Sequence, residues 1–137
     1  MPAAPSHKNA PDSEKITTNV GYVDLGQVDL LVTEGFYSNR SDFIRTAIRN
    51  QLAKHADSVT KTIVRQSLDL GIRHFSRSDL EAVAAAGEKL AIKVLGLATI
   101  ANDVSAELAL SAIASINVLG ALHASPNVKT ALADRIH

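Results

Sequence analysis

Lys15, Thr17 and Asn19 stand at alternate positions of the run Lys15-Ile16-Thr17-Thr18-Asn19-Val20. In an extended backbone they fall on one face, and Ile16, Thr18 and Val20 fall on the other. The first face offers an ammonium donor, a hydroxyl beside a methyl group, and an amide that both donates and accepts. That set suits recognition through hydrogen bonds rather than bond making. Further on, Ser38-Asn39-Arg40-Ser41 gathers two hydroxyls, an amide and a guanidinium at the start of a helical pattern. No paired carboxylates, nucleophile–base set or phosphate-cradling glycine loop stands out, so enzyme activity has no support, and no cofactor is implied.

The elements that must position these groups follow from spacing. Gly21 ends the strand. Leu25, Val28, Leu31, Val32 and Phe36 recur at helical intervals, and Gly35 suits a left-handed helix stop. Ser38 is expected to cap the next helix, with Asn39 and Arg40 in its first turn. Phe43, Ile44, Ala47, Ile48 and Leu52 form that helix's apolar stripe, while Arg45, Arg49 and Lys54 face out; Arg45 and Arg49 read as surface ion-pair partners. A strand of this length cannot bury itself, and the unit is too small for a core of its own. Two copies, with antiparallel strands paired and four helices interlocked, would bury both stripes. The two-stranded ribbon so formed has the width of the DNA major groove, which points to a dimeric DNA-binding protein.

These residues resemble the ribbon-helix-helix family of repressors (the MetJ/Arc/CopG group). The likeness rests on the alternating strand, the helix ending in Gly35-Phe36-Tyr37, and the run from Ser38 to Arg49, and it covers roughly residues 15–55. Many relatives carry Pro after the strand where this chain has Gly21-Tyr22. The resemblance implies that Lys15, Thr17 and Asn19 read bases: Lys at guanine O6/N7, Asn at adenine N6/N7, Thr at the thymine methyl. It also implies that the N–H groups around Asn39 and Arg40 clamp a phosphate, with Ser38 and Ser41 adding hydroxyl contacts.

Composition bounds the rest. The chain has 137 residues, 14 basic and 14 acidic side chains, and no cysteine. Balanced charge supplies no global basic field, so DNA contact must come from basic groups concentrated on one face of a dimer. Lacking cysteine, the chain has no disulfide, thiolate metal site or cysteine nucleophile. The Pro/Ala/Ser-rich start has no apolar run of the signal-peptide kind, and no apolar stretch is long enough to span a bilayer, so a cytoplasmic location is expected. Three parts emerge: a disordered arm at 1–14, the ribbon-helix-helix unit at 15–56, and an apolar module at 57–137.

In the last part Gly71, Gly96 and Gly120 recur within similar surroundings, Leu68-Asp69-Leu70-Gly71, Lys93-Val94-Leu95-Gly96 and Asn117-Val118-Leu119-Gly120. Each is followed by a helical segment, at 78–87, 105–115 and 126–136, with starts marked by Ser78, Ser105 and Ser125-Pro126. The expected fold class is therefore α+β: a ribbon-helix-helix dimer followed by three β-α units with short parallel strands and crossover helices. A ferredoxin-like arrangement, as in nickel-responsive regulators, is the alternative. Bare sheet edges predict edge-to-edge or face-to-face pairing between subunits, giving tetramers or larger assemblies.

His74 and His123 hold equivalent positions in the first and third units, with Thr99 in the second. In stacked parallel strands they would lie roughly 9–10 Å apart, too far to share one ion, so they read as turn or subunit-contact residues and no metal is assigned. His55 suits an exposed helix C-terminus. The functional expectation is a sequence-specific transcriptional regulator, a repressor, acting on double-stranded DNA. The alternatives are an antitoxin that autoregulates its operon, and a regulator whose C-terminal module senses a small molecule.

Overall fold

In a computed structural model, residues 13–137 are described. The arm expected at 1–14 lies outside them, apart from its last two residues. The chain divides into two compact units, Met1–Asp57 and Ser58–His137.

The first unit holds helices α1 (Tyr22–Thr33) and α2 (Arg40–Lys54). α1 ends as the glycine predicts: Gly35 sits at φ +85°, its N–H donates to the Val32 carbonyl at 3.1 Å, and the Phe36 N–H donates to Leu31 at 2.9 Å. This is the paired closure of a Schellman stop, in which a residue without Cβ enters the left-handed region freely. Residues 15–20, expected as a strand, carry no secondary structure in the single chain. A ribbon strand has no ladder partner within its own chain, so one chain cannot form it.

The second unit contains most of helix α3 (Ala56–Gln66), an element the sequence pattern did not disclose, then strands β1 (Asp69–Phe75), β2 (Leu90–Ile100) and β3 (Ile113–His123). Helices α4 (Arg77–Ala85), α5 (Ala106–Ala112) and α6 (Pro126–Ala131) follow the three strands in turn. The strands pair in parallel in the order β1-β2-β3. A ferredoxin-like sheet needs antiparallel neighbours, so that alternative is excluded. α5 is shorter than expected, because β3 already begins at Ile113 rather than after Ser115.

Gly71, Gly96 and Gly120 meet in register across the sheet, all at positive φ (122°, 141° and 123°). A Cβ on Gly96 would overlap the Gly71 carbonyl oxygen, and one on Gly120 would overlap that of Gly96. The recurrence of glycine in the sequence thus has a steric cause: each strand's backbone closes on the next at this level.

Ile92, Val94, Ala98 and Ile100 of β2 point to the helix side and are buried. They join Phe75, Leu80, Ala109, Ile113, Ile116, Val128 and Leu132 in one core. Each covering helix is fixed by a serine cap. Ser105 accepts from the Leu108 N–H and Ser125 from the Val128 N–H, as expected. For α4 the cap is Ser76, not Ser78: its hydroxyl accepts from the Asp79 N–H, and the Asp79 carboxylate accepts from the Ser76 N–H. That reciprocal box satisfies two donors at once, which Ser78 in the first turn cannot do. The backbone and side-chain bonds from Ser76 hold the Asp79 carboxyl below its usual value of 3.8. Beyond α6, the Arg135 guanidinium donates to the carbonyls of Leu110 and Ile113 at 2.9 and 2.8 Å, closing the end of α5.

Candidate nucleic-acid interface

The base-reading candidates Lys15, Thr17 and Asn19 are all exposed on the segment before α1, and so are the alternating Ile16 and Val20. No residue of 13–57 is buried. Phe36, Ile44, Ile48 and Leu52 each expose more than half of their surface, although the helical pattern assigns them to a core. Between α1 and α2 the side chains of Leu25, Val28, Leu31, Phe43 and Ile44, with Val20 at one end, line an open apolar hollow. Val20, the last residue of the candidate reading segment, therefore borders an uncovered apolar surface.

The second candidate cluster is built by the turn between the helices. Tyr37 packs edge-on against Phe43, with ring centroids 5.0 Å apart, anchoring the turn to α2. The cap of α2 is Asn39 rather than Ser38. Asn39 has an extended backbone, its Oδ1 accepts from the Asp42 N–H at 2.8 Å, and its carbonyl accepts from the Phe43 N–H. Ser38 lies one position earlier, where its N–H donates to the Asp42 carboxylate at 2.9 Å. Serine and asparagine are equivalent caps in isolation; the acidic residue three positions after Asn39 is the sequence signal that separates them. The N–H groups of Arg40 and Ser41, at the first two helical positions, find no acceptor among the described residues. They are the orphan donors that suit an anion at a helix start.

Arg40 is engaged within the chain. Its Nε and one terminal nitrogen meet the two carboxylate oxygens of Asp29, both at 2.8 Å, joining α2 to α1. Hydrogen bonding from this guanidinium lowers the Asp29 carboxyl below its usual 3.8, and Asp29 in turn raises Arg40. Asp29 was not legible as a partner, since the two residues are eleven apart and meet only through tertiary packing. Both side chains remain half exposed, so the pair is screened by solvent. Arg45 and Arg49 are exposed and form no ion pair among the described residues, contrary to the expectation from their outward positions.

His74, Thr99 and His123 align across the three strands, and no cluster of three or more metal-ligating groups occurs among the described residues. No helix of the described residues is long and apolar enough to cross a membrane.

A family model, that of the ribbon-helix-helix transcriptional regulator family, matches residues 11–129. The match runs from the segment before α1 into α6, through both compact units. No curated protein and no solved structure matches the chain.

Proposed function

The chain belongs to the ribbon-helix-helix transcriptional regulator family, a family of DNA-binding regulators, and from that premise we propose that it is a repressor reading the major groove with a ribbon contributed by two copies. Residues 15–20 of one chain pair with those of its mate, and Lys15, Thr17 and Asn19 of both face the bases. The phosphate contacts fall to the open N–H groups of Arg40 and Ser41, with Ser38 and Asn39 beside them and Arg40 swinging from Asp29 or reaching past it.

The observation that carries this reading is the absence of any buried side chain from residues 13–57, despite two helices with apolar stripes. Such a unit gains its core only by association. Dimerisation covers Ile44, Ile48 and Leu52 and at the same time supplies the ladder partner that residues 15–20 lack.

Residues 57–137 serve assembly, joining dimers into tetramers or larger species, or sensing. Their own buried core supports this over the antitoxin alternative, in which a charged tail folds only on its toxin. The test is a gel shift on genomic fragments with the Lys15→Ala/Thr17→Ala/Asn19→Ala variant. It should stay dimeric and lose specific affinity by more than about a hundredfold, since each good base contact is worth ~1–3 kcal/mol. Affinity equal to the parent's would refute the assignment of the readers.

A further inference from the structure

The sheet has two faces, and only one is covered. On β2 the buried Ile92, Val94, Ala98 and Ile100 alternate with Lys93, Leu95, Leu97 and Thr99, which point away from the helices. The register carries this alternation to both neighbouring strands. Leu70, Leu95 and Leu119 form one row, and Ile72, Leu97 and Ala121 form the next. Leu70 and Ile72 are 71% and 72% exposed and Leu119 is 50% exposed, so no described residue of the second unit covers them. The two apolar rows hold no charge. They are bounded on one side by His74, Thr99 and His123 and on the other by Lys93 and Asn117.

We infer that this helix-free face packs against the same face of a second copy, from another N-terminal dimer. The inference rests on the dimeric reading of residues 15–56. A charged partner finds no complement in the two rows, whereas an uncharged patch with polar ends is complementary to itself about a two-fold axis. Size argues the same way. Three strands about 4.8 Å apart and two rows about 6.7 Å apart span on the order of 200 Å², short of the ~800 Å² per partner found in stable free-standing complexes. One such patch is too small to hold two free chains together. A ribbon-helix-helix dimer carries two of them, so the first contact between dimers makes the second intramolecular. The face is thus suited to joining dimers, and unsuited to capturing a single chain.

Sedimentation of the full chain tests this. The parent should run at four times the 14.5 kDa chain mass, and Leu70→Lys/Leu119→Lys should fall to two chains with an unchanged circular dichroism spectrum. Because the chain has no cysteine, Leu97→Cys introduces a single thiol near the patch centre and should form an intermolecular disulfide at least tenfold faster than the helix-side control Glu81→Cys. A parent of two chains that the lysine variant leaves at two, or equal crosslinking at the two positions, overturns the inference. A parent of two chains that the lysine variant reduces to single chains would uphold the face and refute the N-terminal dimer instead.

Discussion

The two halves of this chain handle the same kind of residue in opposite ways. Ile116 in β3 is fully buried, whereas Ile48 in α2 leaves 52% of its surface exposed. Both belong to regular apolar patterns, and both sit in well-formed elements. The difference lies in whether the pattern finds its complement in the same chain. β1, β2 and β3 receive helices on one face and close a core, while α1 and α2 present their stripes outward. A pattern of apolar residues therefore states that something will be buried, and leaves open how many chains are needed. In the proposed reading that distinction is functional, because the incomplete half is the one that bears the proposed recognition residues.

The sharpest test of the self-sufficient half is its glycine row. Gly96→Ala should destabilise the second unit by more than about 4 kcal/mol, because the new methyl overlaps the Gly71 carbonyl and the backbone is at φ 141°. Gly71→Ala, with nothing near its Cβ, should cost only the conformational part, about 1–2 kcal/mol. Urea unfolding of both variants measures the gap, and equal effects would show that close strand approach is not the constraint.

Identical truncations in the two halves come next. Ile116→Ala should cost about 3 kcal/mol, within the usual range for a buried isoleucine, at any protein concentration. Ile48→Ala should instead act through association: it should raise the concentration at which the chain dimerises, and the first unit's thermal midpoint should rise with protein concentration in parent and variant alike. A midpoint independent of concentration in both would mean that the first unit is complete in one chain.

A smaller effect of opposite sign is expected at Ser67, the one described residue other than glycine with positive φ, at 55°. It closes α3 as Gly35 closes α1, with its N–H on Val64 and the Leu68 N–H on Ile63. Ser67→Gly should stabilise the chain by about 1 kcal/mol by removing the left-handed penalty, read as a raised midpoint in urea.

The smallest is the acid response of α4. The Asp79 carboxyl is lowered when folded, so its contribution is fully present above the unfolded value of 3.8 and is lost as pH falls through the lower folded value. Asp79→Asn should flatten the stability profile on that acid limb and lower it by a pH-independent amount near neutrality, where the carboxylate contributes in full. A profile identical to the parent's below pH 3.8 would remove the capping box from the account.

Much of this architecture was legible because it is local. Gly35 as a helix stop, the caps at Ser105 and Ser125, and the alignment of Gly71, Gly96 and Gly120 all follow from residue type and spacing. Cap position is ambiguous where two capping residues stand close together. Ser38 and Asn39 compete for one cap, and Asp42, three positions after Asn39, decides it; Ser76 and Ser78 compete for another, and since Asp79 and Glu81 stand three positions after each, spacing alone does not separate them. α3 was hidden because Val59, Thr60, Thr62, Ile63 and Val64 are β-branched and weak helix formers. The Arg40–Asp29 pair was beyond reach, since only the packing of α1 on α2 brings those side chains together.

The central claim is that the reading element exists only when two chains meet. Amide exchange at residues 15–20 of the full chain, followed by NMR above and below the concentration at which it dimerises, tests this most directly. The account predicts slow exchange at alternate positions in the dimer and fast exchange throughout in the dilute monomer. Fast exchange at every one of these amides in a dimer that still binds DNA specifically would contradict it.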